Sequence, residues 1–149
     1  MKKSHFKVTS AEESSGFLLW QVTTLWQRHI KSALESVELS HSAFVLLASL
    51  LWFEENTIKT TQIVLVNHTK LDKMTVSKSL KALEKRDLLT RKEDKEDTRA
   101  KTIMLTAAGK EVAIKALNIV ESIDETFFSV LSKTDEKQMQ TIFKRLNKS

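Results

Sequence analysis

The chain contains no proline and only two glycines, Gly16 and Gly109. Those residues are the ordinary means of stopping a helix or folding a tight turn. A chain almost without them is restricted to helices joined by few turns, and the apolar spacing agrees. Leu19, Val22, Trp26, Ile30, Leu34 and Val37 recur at intervals of three and four, the mark of one long helix over residues 17–37. A second stripe, Val112, Ala116, Val120, Ile123, Phe127 and Leu131, predicts another from Ala107 onward, and Met139, Ile142, Phe143 and Leu146 share one side of a last helix opening at Thr134. At 149 residues, 41% apolar and 29% charged, this is one domain with a real core.

Between these helices lies a more varied centre. "SHSAFVLLASLLWF" is apolar nearly all round from Phe44, with Ser40 as N-cap, and belongs in the middle of a fold. "IVLV", residues 63–66, suits a buried strand or a short helix, and Thr60 or Thr61 as N-cap favours the helix. Asp72 then caps "MTVSKSLKALEKRD". Wound at about 100° per residue, that stretch puts Val76, Leu80 and Leu83 on one face. The other presents Thr75, Lys78, Ala82 and Lys85, flanked by Ser79, Lys81 and Arg86, with Glu84 the one acid before Asp87. "LLTRK", a charged loop and "TIMLT" follow, an antiparallel hairpin with an all-charged tip.

Helix, short helix, turn, helix and charged hairpin is the order of a winged helix-turn-helix, whose second paired helix enters the DNA major groove. Short hydroxyls and lysines suit phosphates and base edges. Arg91, Lys92, Lys95, Arg99 and Lys101 in the hairpin supply cations for phosphates or a minor groove, although Glu93, Asp94, Glu96 and Asp97 nearly cancel them. A carboxylate beside an arginine can orient it by a bidentate bond, the role read for Asp97 beside Arg99. The helix face alone is equally consistent with a solvated surface. A net charge of +5 permits a polyanionic partner without demanding one.

Several classes drop out. Without cysteine there is no disulfide, thiolate zinc site or thiol switch. No nucleophile–base–acid arrangement, glycine-rich phosphate loop or metal-ligand spacing points to an enzyme, a cofactor or a metal; a metal would need His29 or His41 to converge with Glu35 or Glu38. The polar N-terminus lacks a secretory core, and the longest apolar run, Ala43 to Phe53, is too short for a bilayer, so a cytoplasmic protein is expected.

"TVSKSLKALEKRDLLTRKEDKEDTRAKTIMLTAAGKEV", Thr75 to Val112, resembles the core of the MarR family of bacterial transcription regulators, including the Asp97-x-Arg99 pair and the Thr-Ala-Ala-Gly step after the wing. The flanking helices agree in order and length. The resemblance implies a mainly α fold with a small β-hairpin wing, flanked by N- and C-terminal dimerisation helices. It divides the chain into a flexible arm (1–15), a helical dimerisation region (16–38 and 107–149) and a winged helix-turn-helix (39–106). It further implies a homodimeric repressor on a roughly palindromic duplex, with Thr75, Ser77, Lys78, Ser79 and Lys81 in or beside the major groove. Arg99, held by Asp97, would enter the minor groove, while Thr61, Gln62 and Lys70 approach phosphates.

Family members also bind small aromatic or anionic ligands between dimer helices and winged domain, where Trp20, Trp26, Phe44, Trp52 and Phe53 are candidates. The same aromatics are as readily core, where large apolar side chains usually lie. Four positions depart from the family pattern: Asp87 and Lys70 stand where glycine is common, Val66 where a small residue is usual, and Ala82 where a basic one is frequent. The alternative is a winged helix that binds a protein partner without specific DNA binding.

Overall fold

The computed structural model describes residues 3–97 and 99–148; residues 1–2 of the expected arm and 149 of the expected C-terminal region lie outside them. Six helices and a two-stranded wing follow in order: α1 (Ser15–Leu34), α2 (His41–Glu55), α3 (Gln62–Thr69), α4 (Lys73–Lys85), β1 (Leu89–Glu93), β2 (Lys101–Leu105), α5 (Ala107–Phe128) and α6 (Lys133–Leu146). α1 starts before the expected position because Ser14 caps it, accepting the N–H of Phe17 at 3.2 Å. It ends at Leu34 in a 3-10 turn, Glu35–Val37. Within the expected arm, Ala11–Glu13 forms a 3-10 turn, and the Glu13 carboxylate accepts the hydroxyl and N–H of Thr9. α6 starts at Lys133 rather than Thr134, since Ser132 accepts the N–H of Asp135 at 3.1 Å.

α2 is the centre, packed against α1, α3, α4, α5 and β2. Phe44, Leu46, Leu47, Leu50, Leu51 and Phe53 are buried over more than half its circumference, Val45 and Ala48 are half-buried, and Trp52 alone among its large apolar residues is exposed; the inward Ser49 satisfies itself on the carbonyl of Val45 at 2.6 Å. The "IVLV" segment is the helix α3, capped by Thr61 and pinned by the fully buried Leu65. The wing strands pair antiparallel with Leu89 opposite Leu105 and Arg91 opposite Ile103. β2 is tied back to the helices twice: Ile103 donates its N–H to the carbonyl of Thr60 (2.8 Å), and Leu105 donates to the Glu54 carboxylate (2.8 Å).

How the helices stop without glycine is visible in the backbone. Among the described residues, Glu38, Thr57, Lys70 and Asp87 hold φ between 54 and 65°, the left-handed region that L-residues enter at a cost of about 1–2 kcal/mol. Three of them complete the same termination. The following residue, Leu39, Ile58 or Leu88, donates its N–H five residues back, to Leu34, Phe53 or Leu83, and each is apolar, as the Schellman motif prefers. Lys70 uses the simpler form, donating to Val66 at 3.0 Å.

Where α4 hands over to the wing and the wing to α5, one junction joins all three. Thr106 donates its N–H to the carbonyl of Leu88 (3.1 Å) and its hydroxyl to that of Asp87 (2.6 Å). The same hydroxyl accepts the N–H of Gly109 (2.9 Å), capping α5. A Cβ on Gly109 would lie 1.7 Å from the Leu88 carbonyl oxygen, so no other residue fits there. No single helix among the described residues is long and apolar enough to cross a membrane.

Two substitutions test this backbone. Gly109→Ala must push α5 off Leu88 and is expected to cost about 3 kcal/mol. Thr57→Gly relieves a β-branched residue in the left-handed region and is expected to gain about 1 kcal/mol. Denaturant unfolding of both variants measures this, with opposite signs expected.

Candidate nucleic-acid interface

α4 is fastened to the core by Val76, Leu80 and Leu83, each at most 1% exposed. Its N-terminus is closed by Asp72, which accepts both the N–H and the hydroxyl of Thr75 at 2.8 Å. The backbone bond first, then the hydroxyl, holds the Asp72 carboxyl below the usual range. The Thr75 hydroxyl proton is thereby committed, so toward an outside partner Thr75 is an acceptor. Lys78, Lys81, Ala82 and Lys85 are exposed, Ser77 and Ser79 half-buried, and Met74 stands 79% exposed at the helix start. Lys78, Ser79, Ala82 and Arg86 line one wall of a groove of about 310 Å3 closed by Glu38, Ser40 and Ala43 of the α2 entry. Lys70, in the α3–α4 turn, is exposed.

A second groove, about 410 Å3, runs between the start of α3 and the wing. It brings together Thr61, Gln62, Arg91, Arg99 and Lys101, five of the residues expected at the site, with Ile63, Ala100 and Ile103 as its apolar lining. Arg99 is 91% exposed, yet oriented: Asp97 Oδ1 accepts both its Nε–H (3.2 Å) and its backbone N–H (3.1 Å). One carboxylate oxygen takes both bonds, where a two-oxygen fork was expected. The short spacing lets side chain and main chain of Arg99 meet the same atom. Lys95 is exposed at the tip.

Arg91 is already paired within the chain. Its guanidinium is committed to Glu84 of α4, with Nη2 at 2.8 Å and Nε at 3.3 Å from Oε1, and its side chain is only 17% exposed. That bond holds the Glu84 carboxyl below the usual range. A further ion pair joins Lys59, in the α2–α3 connection, to Asp94 at the start of the wing loop, lowering Asp94 and raising Lys59. Neither pair was foreseen. The signal for the first was present, since Glu84 is the acid that interrupts the cationic pattern of α4.

The five aromatic candidates are not brought together. Phe44 and Phe53 are core residues, 6% exposed, whereas Trp20 and Trp52 face outward. Trp26 donates its indole N–H to Asp124 Oδ1 at 2.7 Å and lines an apolar groove of about 510 Å3 between α1, α5 and α6, with Leu19, Val22, Phe127, Met139 and Phe143. His41 packs edge-on against Trp26, and burial pushes its pKa down. His29 packs against Phe127. Among the described residues, no three His, Asp or Glu side chains converge as a metal site would require.

Because Glu84 is depressed in the folded chain, its pairing stabilises above the carboxyl's unfolded pKa and is lost as pH falls through the folded value. Carboxyl NMR titration is expected to place Glu84 below 4.5 and to return it to the ordinary range in Arg91→Gln. An unmoved midpoint in that variant would show that Arg91 is not the cause.

Residues 35–124 match the family described as ArnR1-like, winged-helix domain. The chain is 37% identical over 131 residues to the uncharacterized HTH-type transcriptional regulator YdcH of Bacillus subtilis (strain 168), covering 88% of this chain and 89% of that one. A MarR-family transcriptional regulator from Rhodococcus sp. RHA1 superposes with a TM-score of 0.83 at 21% identity over 94% of this chain and 98% of that one. Bordetella bronchiseptica BpsR, whose DNA binding is regulated by 6-hydroxynicotinic acid, gives 0.83 at 19% identity over 99% of both chains. With this architecture, this wing and these relatives, the chain belongs to the MarR family of winged-helix, DNA-binding transcriptional regulators.

Proposed function

We propose that this chain is a sequence-specific double-stranded-DNA-binding repressor that works as a homodimer. In this reading α4 lies in the major groove, with Ser77, Lys78, Ser79 and Lys81 turned to bases and phosphates and Thr75 accepting. Thr61, Gln62 and Lys70 approach the backbone from α3 and its turn, and Lys95 and Lys101 approach it from the wing. The observation that carries the reading is Arg99, bonded to Asp97 and so fixed in direction, yet 91% exposed at the wing. Apart from that bond, no hydrogen bond or ion pair among the described residues takes up its guanidinium, and an oriented, exposed arginine in the loop of a β-hairpin is suited to a narrow minor groove.

Exposed apolar surface supports the dimer. Phe17, Leu18, Leu19, Trp20, Val22 and Leu25 on α1 and Ile142 and Phe143 on α6 are all exposed in the single chain. Patches of that extent mark an interaction surface. In this reading 16–38 and 107–149 form the dimerisation region and 39–106 the DNA-binding region, two copies reading a roughly palindromic site. Modulation by a small aromatic or anionic ligand is supported by BpsR, whose regulator is 6-hydroxynicotinic acid, and by the apolar groove beside Trp26.

Duplex-binding titrations of two variants test the contacts. Arg99→Ala is expected to weaken binding broadly and to lower the salt slope by about 1. Lys78→Ala is expected to cost about 1–3 kcal/mol and to relax preference at one base position. Unchanged affinity in both, with the assembly intact, would refute the placement. Sedimentation at micromolar concentration is expected to show a dimer; a monomer would remove the two-copy reading.

A further inference from the structure

The Glu84–Arg91 pair sits where three parts of the interface meet. Arg91 lies opposite Ile103 in the wing ladder. The Ile103 N–H is bound by the carbonyl of Thr60, the residue before the α3 N-cap. Glu84 is on the last turn of α4, beyond the buried Leu80 and Leu83. The pair is therefore a strut between α4, the proposed major-groove helix, and β1, the strand that leads into the wing loop carrying Arg99. It also consumes charge, because Glu84 neutralises an arginine lining the cationic groove beside Thr61 and Gln62.

We infer that Glu84 and Arg91 are positioning residues, setting the offset between α4 and the wing and so the spacing between the bases read by α4 and the minor-groove step reached by Arg99. The inference rests on the DNA-binding reading above. A carboxylate on a DNA-facing helix is unfavourable for affinity, since it repels phosphate and occupies a cation. Its presence is explained if it contributes selectivity, with the wing held at one distance from α4.

This has consequences that simple charge counting does not. Glu84→Ala frees Arg91 for a phosphate: binding to a scrambled duplex is expected to tighten severalfold and its salt slope to steepen by about 0.9, the increment for one more phosphate contact. The ratio of specific to scrambled affinity is expected to fall about tenfold, with most of the lost preference in the bases flanking the α4 half-sites. Arg91→Gln is expected to lose the same flanking preference while leaving the slope unchanged, because that charge is already taken up by Glu84.

The experiment is a salt-titrated competition between a selected duplex and its scrambled counterpart, with duplex selection repeated on each variant. Glu84→Gln, which keeps the shape, is carried alongside in case the alanine variant does not fold, and is expected to move the ratio in the same direction. A specificity ratio and flanking preference unchanged in folded variants would overturn the inference. So would an Arg91→Gln slope lower by about 1 with flanks retained, since Arg91 would then be a direct phosphate contact. If the unmodified chain prefers no duplex, the DNA-binding reading fails and this inference with it. If it does prefer one and the variants keep that preference, only this inference fails.

Discussion

The whole interface hangs on the hydroxyl of Thr106 and the missing side chain of Gly109. That hydroxyl binds the Asp87 carbonyl, which closes α4, and accepts the Gly109 N–H, which opens α5. Gly109 lets the first turn of α5 lie directly on the Leu88 carbonyl. The recognition helix, the base of the wing and the long helix that leads to the proposed dimer region are thereby locked at one point. A regulator needs this rigidity, because an arginine on a wing reads a groove only if the wing leaves the recognition helix in a fixed direction. It also gives the Thr-Ala-Ala-Gly step a physical meaning: threonine for a two-way bond, small residues for approach.

The scarcity of glycine has a compensating cost elsewhere. Glu38, Thr57, Lys70 and Asp87 end helices in the left-handed region without its help, and the apolar Leu39, Ile58 and Leu88 stabilise three of those ends by packing. At Lys70 the arrangement has a use, since a glycine there would relieve strain but remove a cation from the proposed phosphate-binding edge. Asp87 is unstrained enough to serve because short polar side chains enter this region more readily than others. The wing shows the same economy with charge. Two of its four acids are employed, Asp94 holding Lys59 and Asp97 aiming Arg99, and Glu84, on the neighbouring helix, holds Arg91.

What the sequence makes legible follows the range of each interaction. The α4 stripe of Val76, Leu80 and Leu83 was readable because burial and helical period coincide in one short segment. The caps Ser40 and Asp72 were readable because they bond three residues ahead. The strand-or-helix ambiguity of "IVLV" was open to periodicity but tipped toward the helix by its N-cap, and Thr61 is that cap; the burial of Leu65 beneath it is tertiary and no local period encodes it. Glu84 with Arg91, and Lys59 with Asp94, join different elements, so their spacing carries no signature. The aromatics show the limit most clearly: Phe44, Phe53, Trp20 and Trp52 are spelled alike, yet two are core and two face outward.

The central claim is that α4 and the wing read duplex DNA by sequence. Its most direct test is the affinity of the purified full chain for a duplex selected from genomic fragments, against a scrambled duplex of the same length, across a range of salt. The structure predicts a steep linear fall of log affinity with log salt, and a selected duplex held at least about a thousandfold more tightly than the scrambled one. A flat salt response, or equal affinity for the two duplexes, would contradict the claim and favour a winged helix built for a protein partner.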